Sequence, residues 1–208
     1  LVGFLDDRFN LSRIIRYGSQ IFTAFLIVNY SLTSNSNFKA LFESNPLSNL
    51  LLIFLIIAIT AIINFTNFMD GLDGFLGSSF FVAFLFLSIT YEKNLIFLTA
   101  GIFSFLIFNW HPAKIFMGDV GSTFLGAVFA GLIIQKGNIQ DILIRLLILS
   151  PIFMDSFFTL IRRIKNRHKI FTPHKLHVYQ RLNQAGMEHS KISIIYALGV
   201  FILCLVSL

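Results

Sequence analysis

Five aspartates stand at the ends of long apolar runs in this chain: Asp6, Asp7, Asp70, Asp73 and Asp119. They account for half of its ten acidic residues. Carboxylates beside glycines at the edge of an apolar segment are typical of a site that holds Mg²⁺ and a phosphate. The pattern therefore indicates an enzyme that acts on a lipid phosphate.

The composition indicates that membrane helices position these aspartates. Of 208 residues, 56% are hydrophobic and 12% are charged, and the mean hydropathy is +0.79. The charged share is about half of the ~25% that is usual in soluble domains. The apolar runs are continuous, which disfavours the alternating strands of a membrane barrel. The sequence predicts an all-α, polytopic transmembrane helical bundle.

Seven apolar segments are long enough to serve as spans, some of them short or re-entrant. They lie at about 14–31, 48–66, 75–91, 95–109, 121–135, 141–161 and 191–208. Together they predict one integral membrane domain over 1–208, with a basic loop at 162–190. Because the chain begins within an apolar stretch, we expect earlier spans to be missing.

Counting spans places every polar motif on one face of the membrane. Twelve basic residues also fall on that face: Arg8, Arg13, Arg16, Lys114, Arg162, Arg163, Lys165, Arg167, Lys169, Lys175, Arg181 and Lys191. Four lie on or near the other face: Lys39, Lys93, Lys136 and Arg145. The positive-inside rule then predicts that the motif-bearing face is cytoplasmic. It also explains the net charge of +6 without a nucleic-acid partner.

The second motif is the most specific, because four oxygen-bearing side chains recur every third residue. They are Asn64, Asn67, Asp70 and Asp73, and a glycine follows each aspartate. This spacing predicts one side of a helical turn, where amide and carboxylate oxygens could hold a hard cation. The alternative is a polar loop in which these residues cap helices.

The first and third motifs are weaker when each is taken alone. Asp6 and Asp7 are adjacent carboxylates that repel unless a cation or a shared proton relieves them, although a turn after a helix is an alternative. Asp119 and Ser122 precede an apolar helix, where N–H groups favour an anion and Asp119 could hold a metal ion. A plain N-cap is the alternative for that pair.

The basic loop carries a fourth motif that could bind a pyrophosphate. His174, Lys175, His177 and Arg181 offer donors suited to phosphate oxygens. The other basic residues of the loop fit an ordinary positive-inside segment. Asp155 is an acid within a predicted span and so a functional candidate, with Arg162 or Arg163 as alternative ion-pair partners.

Together these motifs resemble the polyprenyl-phosphate N-acetylhexosamine-1-phosphate transferase family, which includes the WecA, MraY and WbpL types. The resemblance rests on the Asp-Asp pair, the N-x-x-N-x-x-D-G-x-D-G string and the F-M-G-D-x-G-S string. The stretch His174-Lys175-Leu176-His177-Val178-Tyr179-Gln180 is similar to the form found in WbpL-like enzymes that start O-antigen chains.

The resemblance implies transfer of a HexNAc-1-phosphate from a UDP-sugar to undecaprenyl phosphate, with release of UMP. It implies a multi-pass protein of the bacterial inner membrane, a cytoplasmic active site, and Mg²⁺, or alternatively Mn²⁺, as cofactor. It implies involvement in O-antigen or related envelope polysaccharide synthesis.

The resemblance also implies a role for each motif. Asp119 would be the main metal ligand, with Asn67 and Asp70 as further ligands or organisers. Asp6 or Asp7 would deprotonate or orient the lipid phosphate. The remaining assignments concern the substrates. Asp73 would organise the uridine or diphosphate side of the nucleotide sugar, and Asn64 would also bind substrate. The diphosphate would be contacted by His174, Lys175, His177 and Arg181.

Two other functions fit parts of the pattern. A cation-coupled transporter would use acids within spans, but such acids usually lie near the midplane of repeated halves, and no repeat is evident here. A lipid phosphotransferase of the CDP-alcohol type would carry D-G-x-x-A-R, whereas Asp70-Gly71 is followed by Leu72-Asp73-Gly74.

Overall fold

The computed structural model describes residues 2–43, 46–135, 138–168 and 174–208. Within these ranges the chain forms eleven α-helices and no β-strand. The helices are α1 Val2–Phe9, α2 Arg13–Ser34, α3 Ser36–Glu43, α4 Ser48–Phe68, α5 Phe75–Thr90, α6 Leu95–Asn109, α7 Gly118–Ile134, α8 Ile139–Ile148, α9 Ser150–Lys165, α10 Val178–Gln184 and α11 His189–Val206. Lys136 and Lys169, assigned above to opposite faces, lie outside the described residues.

The helices have the composition of a membrane bundle. Among the described residues, α4 and α11 are each long and apolar enough to cross a membrane, and α8 with α9 form a bent pair that passes the same test together. Helices α5, α6 and α7 are apolar but shorter. Large apolar side chains face outward, including Ile14, Phe97 and Phe116, as expected for surfaces that contact lipid. The all-α membrane bundle is confirmed, and the count of seven spans stays a prediction.

Six of the predicted spans each coincide with one helix to within a few residues. The exception is 141–161, which is two helices, because helical geometry is interrupted at Leu149 and α9 starts afresh with Pro151 in its first turn. Proline is favoured there because it has no N–H group to leave unpaired. The predicted loop at 162–190 is also partly helical, since α9 continues to Lys165 and α10 lies within it.

The chain divides into two compact units. The first comprises Leu1–Asn67 and Gly118–Leu146. In it, α7 packs against α1 and α2, and α2 also contacts α3. Its buried core includes Val28 and Ile63 together with Phe129 of α7.

The second unit comprises Phe68–Met117 and Leu147–Leu208. Helix α5 is its centre, because α5 packs against both α6 and α11, while α9 and α10 contact α11 and each other. Phe80 and Phe84 of α5 are fully buried. The prediction of one domain over 1–208 stays a prediction.

Candidate active site

The first unit gathers an acidic cluster made of Asp6, Asp7, Asn67 and Asp119, with Arg16 beside it. A turn after a helix was one alternative for Asp6 and Asp7, but both lie within α1. Asp6 is buried, and it accepts hydrogen bonds from the Leu11 N–H at 2.8 Å and from Arg16 Nη1 at 3.2 Å. These partners stabilise a charged side chain inside a helix that is otherwise largely apolar.

Asp7 caps the N-terminus of α7. Its two carboxylate oxygens accept the N–H groups of Asp119 at 2.8 Å and Val120 at 3.2 Å. These N–H groups belong to the first turn, which has no helical partners for them and carries partial positive charge. Gly118 makes the contact possible, because its φ is +64° and a Cβ there would lie 2.7 Å from Asp7 Oδ2.

Asp119 is held by polar contacts on its other side. Asn67 Nδ2 donates to Asp119 Oδ1 at 2.7 Å and to Ser122 Oγ at 3.0 Å. Arg16 Nη1 lies 3.9 Å from Asp119 Oδ2. Asn67 therefore orients Asp119, and Arg16 is the cation shared by Asp6 and Asp119. No motif distinguishes Arg16 from the other basic residues that the sequence places on the same face.

The electrostatics of this cluster favour a cation. Burial, followed by contact with Asp6 and the charges of Asp6 and Asp7, raises the pKa of Asp119 to about 6, although the Asn67 hydrogen bond acts in the opposite direction. Asp119 sits in the first turn of α7, ahead of the predicted span at 121. Carboxylate oxygens are ligands that Mg²⁺ prefers, so the donor set fits the divalent ion that the motifs predict.

The second motif does not form one helical face. Asn64 and Asn67 lie in α4, but α4 ends at Phe68, so Asp70 and Asp73 lie in the turn that follows. Asn64 Nδ2 donates to Gln20 Oε1 and to the Thr60 carbonyl oxygen. The predicted register is therefore wrong beyond Phe68, and Asn64 and Asn67 have different partners within the first unit.

Asp73 belongs to the second unit and has partners from two other segments. His111 Nδ1 lies 2.7 Å from Asp73 Oδ2, the Ala113 N–H donates to that oxygen at 3.2 Å, and His189 Nδ1 lies 3.4 Å from it. Burial alone would raise the pKa of Asp73, but the hydrogen bonds of His111 and Ala113 and the charges of His189 and His111 outweigh it and lower the pKa. Asp73 is thus a stable carboxylate. His111 stands in the third motif without an assigned role, and nothing in the sequence singled out His189.

Asp155 is the centre of the strongest polar network in the second unit. Its side chain is 3% exposed. It accepts the N–H groups of Val178 at 2.8 Å and Tyr179 at 3.1 Å, and the Tyr196 hydroxyl at 2.8 Å. Among the ion pairs of the described residues, Asp155 pairs with His177, whose Nδ1 lies 3.5 Å away. This carboxylate of α9 therefore fixes the start of α10 and binds to α11, which fits a positioning role better than an ion pathway.

A stack of rings continues from this network. The His177 ring stacks on His174 at 4.9 Å and on Tyr179 at 5.7 Å between centroids, and Tyr179 stacks on Phe75 at 4.5 Å. The Tyr179 hydroxyl donates to the Phe68 carbonyl oxygen at 3.1 Å. Gly71 leaves room for that hydroxyl, since a Cβ there would lie 2.3 Å from it. The stack therefore ties α10 to the turn that carries Asp70.

Two consequences follow for the residues of this unit that were predicted to bind substrate. Burial and then the charge of Asp70 raise the pKa of the Tyr179 hydroxyl. Asp70 therefore interacts electrostatically with Tyr179, which is part of the ring stack. Burial, followed by the charges of Arg163 and His177, lowers the pKa of His174 to about 4. At neutral pH its ring is uncharged, whereas Lys175 and Arg181 of the same motif are exposed cations.

A protein-family model described as glycosyl transferase family 4 matches residues 1–137. This match covers the first three motifs and well over half of the chain. The chain belongs to glycosyl transferase family 4. The resemblance to the WecA and MraY types is confirmed by this match and by the curated relatives.

One such family member is the probable undecaprenyl-phosphate N-acetylglucosaminyl 1-phosphate transferase of Bacillus subtilis (strain 168), 32% identical over 96% of this chain and 60% of that protein. A decaprenyl-phosphate N-acetylglucosaminephosphotransferase of Mycobacterium leprae is 33% identical over 46% of this chain and 28% of that protein. The phospho-N-acetylmuramoyl-pentapeptide-transferase of Carboxydothermus hydrogenoformans is 30% identical over 53% of this chain and 33% of that protein. The chain spans about three fifths of the first relative and a third or less of the other two.

The geometry at Gly118 predicts that Gly118→Ala damages the acidic cluster of this family member. The new Cβ would be strained at φ +64° and would displace the Asp7 carboxylate, at a cost of about 1 kcal/mol or more. Thermal unfolding in detergent should show a lower midpoint than wild type. Gly18→Ala is the matched control, because a Cβ there meets nothing within 4 Å. Equal midpoints for the two variants would contradict the capping role of Asp7.

The Asp155 network predicts a graded loss of stability. Asp155→Ala leaves buried N–H and O–H donors without an acceptor, which costs about 1–3 kcal/mol for each group, while Asp155→Asn keeps one acceptor oxygen. We expect the thermal midpoint to fall in the order wild type, Asn, Ala. Glu188→Ala removes an exposed acid paired with Lys191 and should change the midpoint little. An Asp155→Ala midpoint equal to that control would refute the network.

The lowered pKa of His174 predicts a loss of stability in acid. Between about pH 6.5, the usual histidine pKa, and about pH 4, the unfolded chain binds a proton that folded His174 does not. Stability from this source is therefore full above about pH 6.5 and is lost as the pH falls toward 4. The midpoint of wild type should drop more between about pH 7.5 and 5 than that of His174→Gln. The exposed His168→Gln should track wild type, and parallel curves for all three proteins would exclude the assignment.

Proposed function

We propose that the full-length protein transfers a HexNAc-1-phosphate from a UDP-sugar to undecaprenyl phosphate or a similar polyprenyl phosphate. A phosphate oxygen of the lipid forms a bond to the phosphorus that carries the sugar. The bond from that phosphorus to the bridging oxygen breaks, and UMP leaves with the bridging oxygen. The products are a lipid pyrophosphoryl sugar and UMP.

The observation that carries this proposal is the acidic cluster of the first unit in a chain of glycosyl transferase family 4. The reaction must bring two anions together, and unit like charges ~4 Å apart repel by ~4 kcal/mol at an effective dielectric near 20. A cluster that itself requires a cation suits this problem. When bound, Mg²⁺, or Mn²⁺, supplies charge that offsets the repulsion and stabilises the leaving UMP.

We assign the roles in the first unit by the contacts each residue makes. Asp119 is the main metal ligand, and Asn67 orients it through the 2.7 Å hydrogen bond. Asp7 holds the N-terminus of α7, and therefore Asp119, in place. Asp6 and Arg16 form an ion pair beside Asp119. The lipid phosphate is oriented from this side of the cluster.

The second unit supplies groups for the nucleotide sugar. Asp73 is charged and is held at the end of the second motif, where it can accept from a uridine or ribose donor. Lys175 and Arg181 are exposed cations suited to diphosphate oxygens. Asp155, with His177 and Tyr179, positions this segment without contacting substrate itself.

The proposed setting is the cytoplasmic face of the bacterial inner membrane. There a lipid phosphate at headgroup level meets a soluble nucleotide sugar, and the excess of Lys and Arg on the motif-bearing face supports that orientation. The product would begin O-antigen or a related envelope polysaccharide. GlcNAc is the first sugar to test, because two of the relatives described above carry it in their names.

The proposal predicts that Asp119→Ala abolishes transfer. The full-length variant in lipid vesicles with undecaprenyl phosphate, UDP-GlcNAc and Mg²⁺ should release UMP slower by on the order of 100-fold or more, since one preorganised charge contributes about that much. Protein abundance and thermal midpoint should stay near wild type, because Asp119 is partly exposed.

Glu43→Ala is the matched control for this experiment. Glu43 is an exposed acid of α3 in an ion pair with Lys39, and its removal should leave the rate unchanged. If Asp119→Ala kept most of the wild-type rate in saturating Mg²⁺, the metal assignment would fail. If wild type released no UMP with any UDP-HexNAc but did so with another nucleotide sugar, the donor assignment would fail instead.

A further inference from the structure

Asp73, His111 and His189 form a second cluster of metal-ligating side chains, which we call the histidine cluster. It lies within the second unit. Asp73 comes from the turn after α4, His111 from the segment after α6, and His189 is the first residue of α11. One ligand atom from each residue lies within 4.8 Å of the other two.

The distances fit the coordination shell of one ion. His111 Nδ1 and His189 Nδ1 lie 2.7 and 3.4 Å from Asp73 Oδ2. Ligands ~2.0–2.1 Å from a metal stand ~3.4 Å apart in a tetrahedron and ~3.0 Å apart at a right angle. The two distances from Asp73 Oδ2 are therefore close to the separations between ligands of one ion.

The donor set selects a different class of ion from the acidic cluster. Two imidazoles with one carboxylate suit Zn²⁺ and its neighbours in the first transition row, whereas Mg²⁺ prefers oxygen ligands and water. A site with three protein ligands leaves one position for water or a ligand. The side chains of Asp73, His111 and His189 are 16%, 41% and 27% exposed, so an ion can reach them from solvent.

The surroundings of Asp73 hold the carboxylate in place for this role. The Ala113 N–H donates to Oδ2 at 3.2 Å, and the Ser193 hydroxyl donates to the Asp73 carbonyl oxygen at 3.0 Å. Outer contacts of this kind orient metal ligands and raise affinity. The rings of His111 and His189 are 4.7 Å apart between centroids, which places both imidazoles on the same side of Asp73.

We propose that Asp73, His111 and His189 bind a borderline transition-metal ion, with Zn²⁺ as the reference ion. Since Asp73 also organises the nucleotide sugar in the proposed reaction, an ion bound here competes with that role. Zn²⁺ should therefore inhibit transfer at concentrations that fill the site. This consequence rests on the proposed function, whereas binding of the ion does not.

The direct test measures metal binding by full-length protein in detergent, after removal of metal with a chelator and dialysis. Zn²⁺ is titrated against a chromophoric chelator in the presence of excess Mg²⁺. We expect one Zn²⁺ per chain in wild type, and binding at least tenfold weaker in His111→Ala and His189→Ala. His168→Ala, which removes an exposed histidine of the same unit, should bind as wild type. Wild-type stoichiometry and affinity in both ligand variants would overturn the proposal.

A second measurement uses only the wild-type protein, so its outcome does not depend on whether the ligand variants fold. Diethyl pyrocarbonate modifies accessible imidazoles, and peptide mass spectrometry reports each site. Zn²⁺ should protect His111 and His189 but not His168. Equal modification of His111 and His189 with and without Zn²⁺ would overturn the metal site, whatever the transfer assay shows. Absence of UMP release together with protection by Zn²⁺ would contradict the proposed function but would support the metal site.

Discussion

The acidic cluster of the first unit depends on the hydrogen bonds between the Asp7 carboxylate and the first N–H groups of α7. Without them, the N-terminus of α7 would carry unpaired donors and Asp119 would have no fixed position relative to α1. Burial, together with the nearby carboxylates of Asp6 and Asp7, raises the pKa of Asp119 to about 6. The helix cap thus gathers carboxylates whose mutual repulsion a cation relieves, and the proposed metal ion would supply that charge.

In the second unit, the short polar helix α10 depends on contacts with its neighbours. Seven residues cannot form a stable helix alone, so α10 relies on Asp155 for acceptors and on Phe75 and Tyr179 for packing. Asp155 has a buried side chain but is not isolated, because it accepts hydrogen bonds from α10, from α11 and from Thr159 of α9 itself. Buried charge is tolerated when hydrogen bonds surround it in this way.

The positions of the helices could be predicted from hydropathy, because each long apolar run needs its backbone groups paired within the segment. The break at Leu149 could not, since it lies inside a long apolar run in which only Ser150 and Pro151 mark it. A turn was an alternative for Asp6 and Asp7 because two charges interrupt an apolar run. They remain helical because Arg16 and the N–H groups of α7 stabilise them, and those partners are distant in sequence.

The three-residue spacing of the second motif was informative only while the helix continued. Helix α4 ends at Phe68, so Asp70 and Asp73 lie in the turn before Gly74, whose φ is +70°, and not on the helix that carries Asn64 and Asn67. The spacing therefore predicted neither the hydrogen bond from Asn67 to Asp119 nor the contact between Asp73 and His111. His189 was missed because a histidine at the polar start of an apolar segment has no distinguishing pattern. Lys175 and Arg181 were found because the charge of a side chain can be read directly from the sequence.

The sharing of one carboxylate by several donors has a consequence for the motions of α10. Both oxygens of Asp155 accept hydrogen bonds, so the Val178 N–H and the Tyr179 N–H lose their acceptor in the same event when α10 detaches, while the Tyr196 hydroxyl of α11 keeps it. Opening therefore proceeds as one cooperative step rather than by fraying from either end. The amide hydrogens of α10 thus become accessible to solvent together, whenever the whole segment lifts from α9.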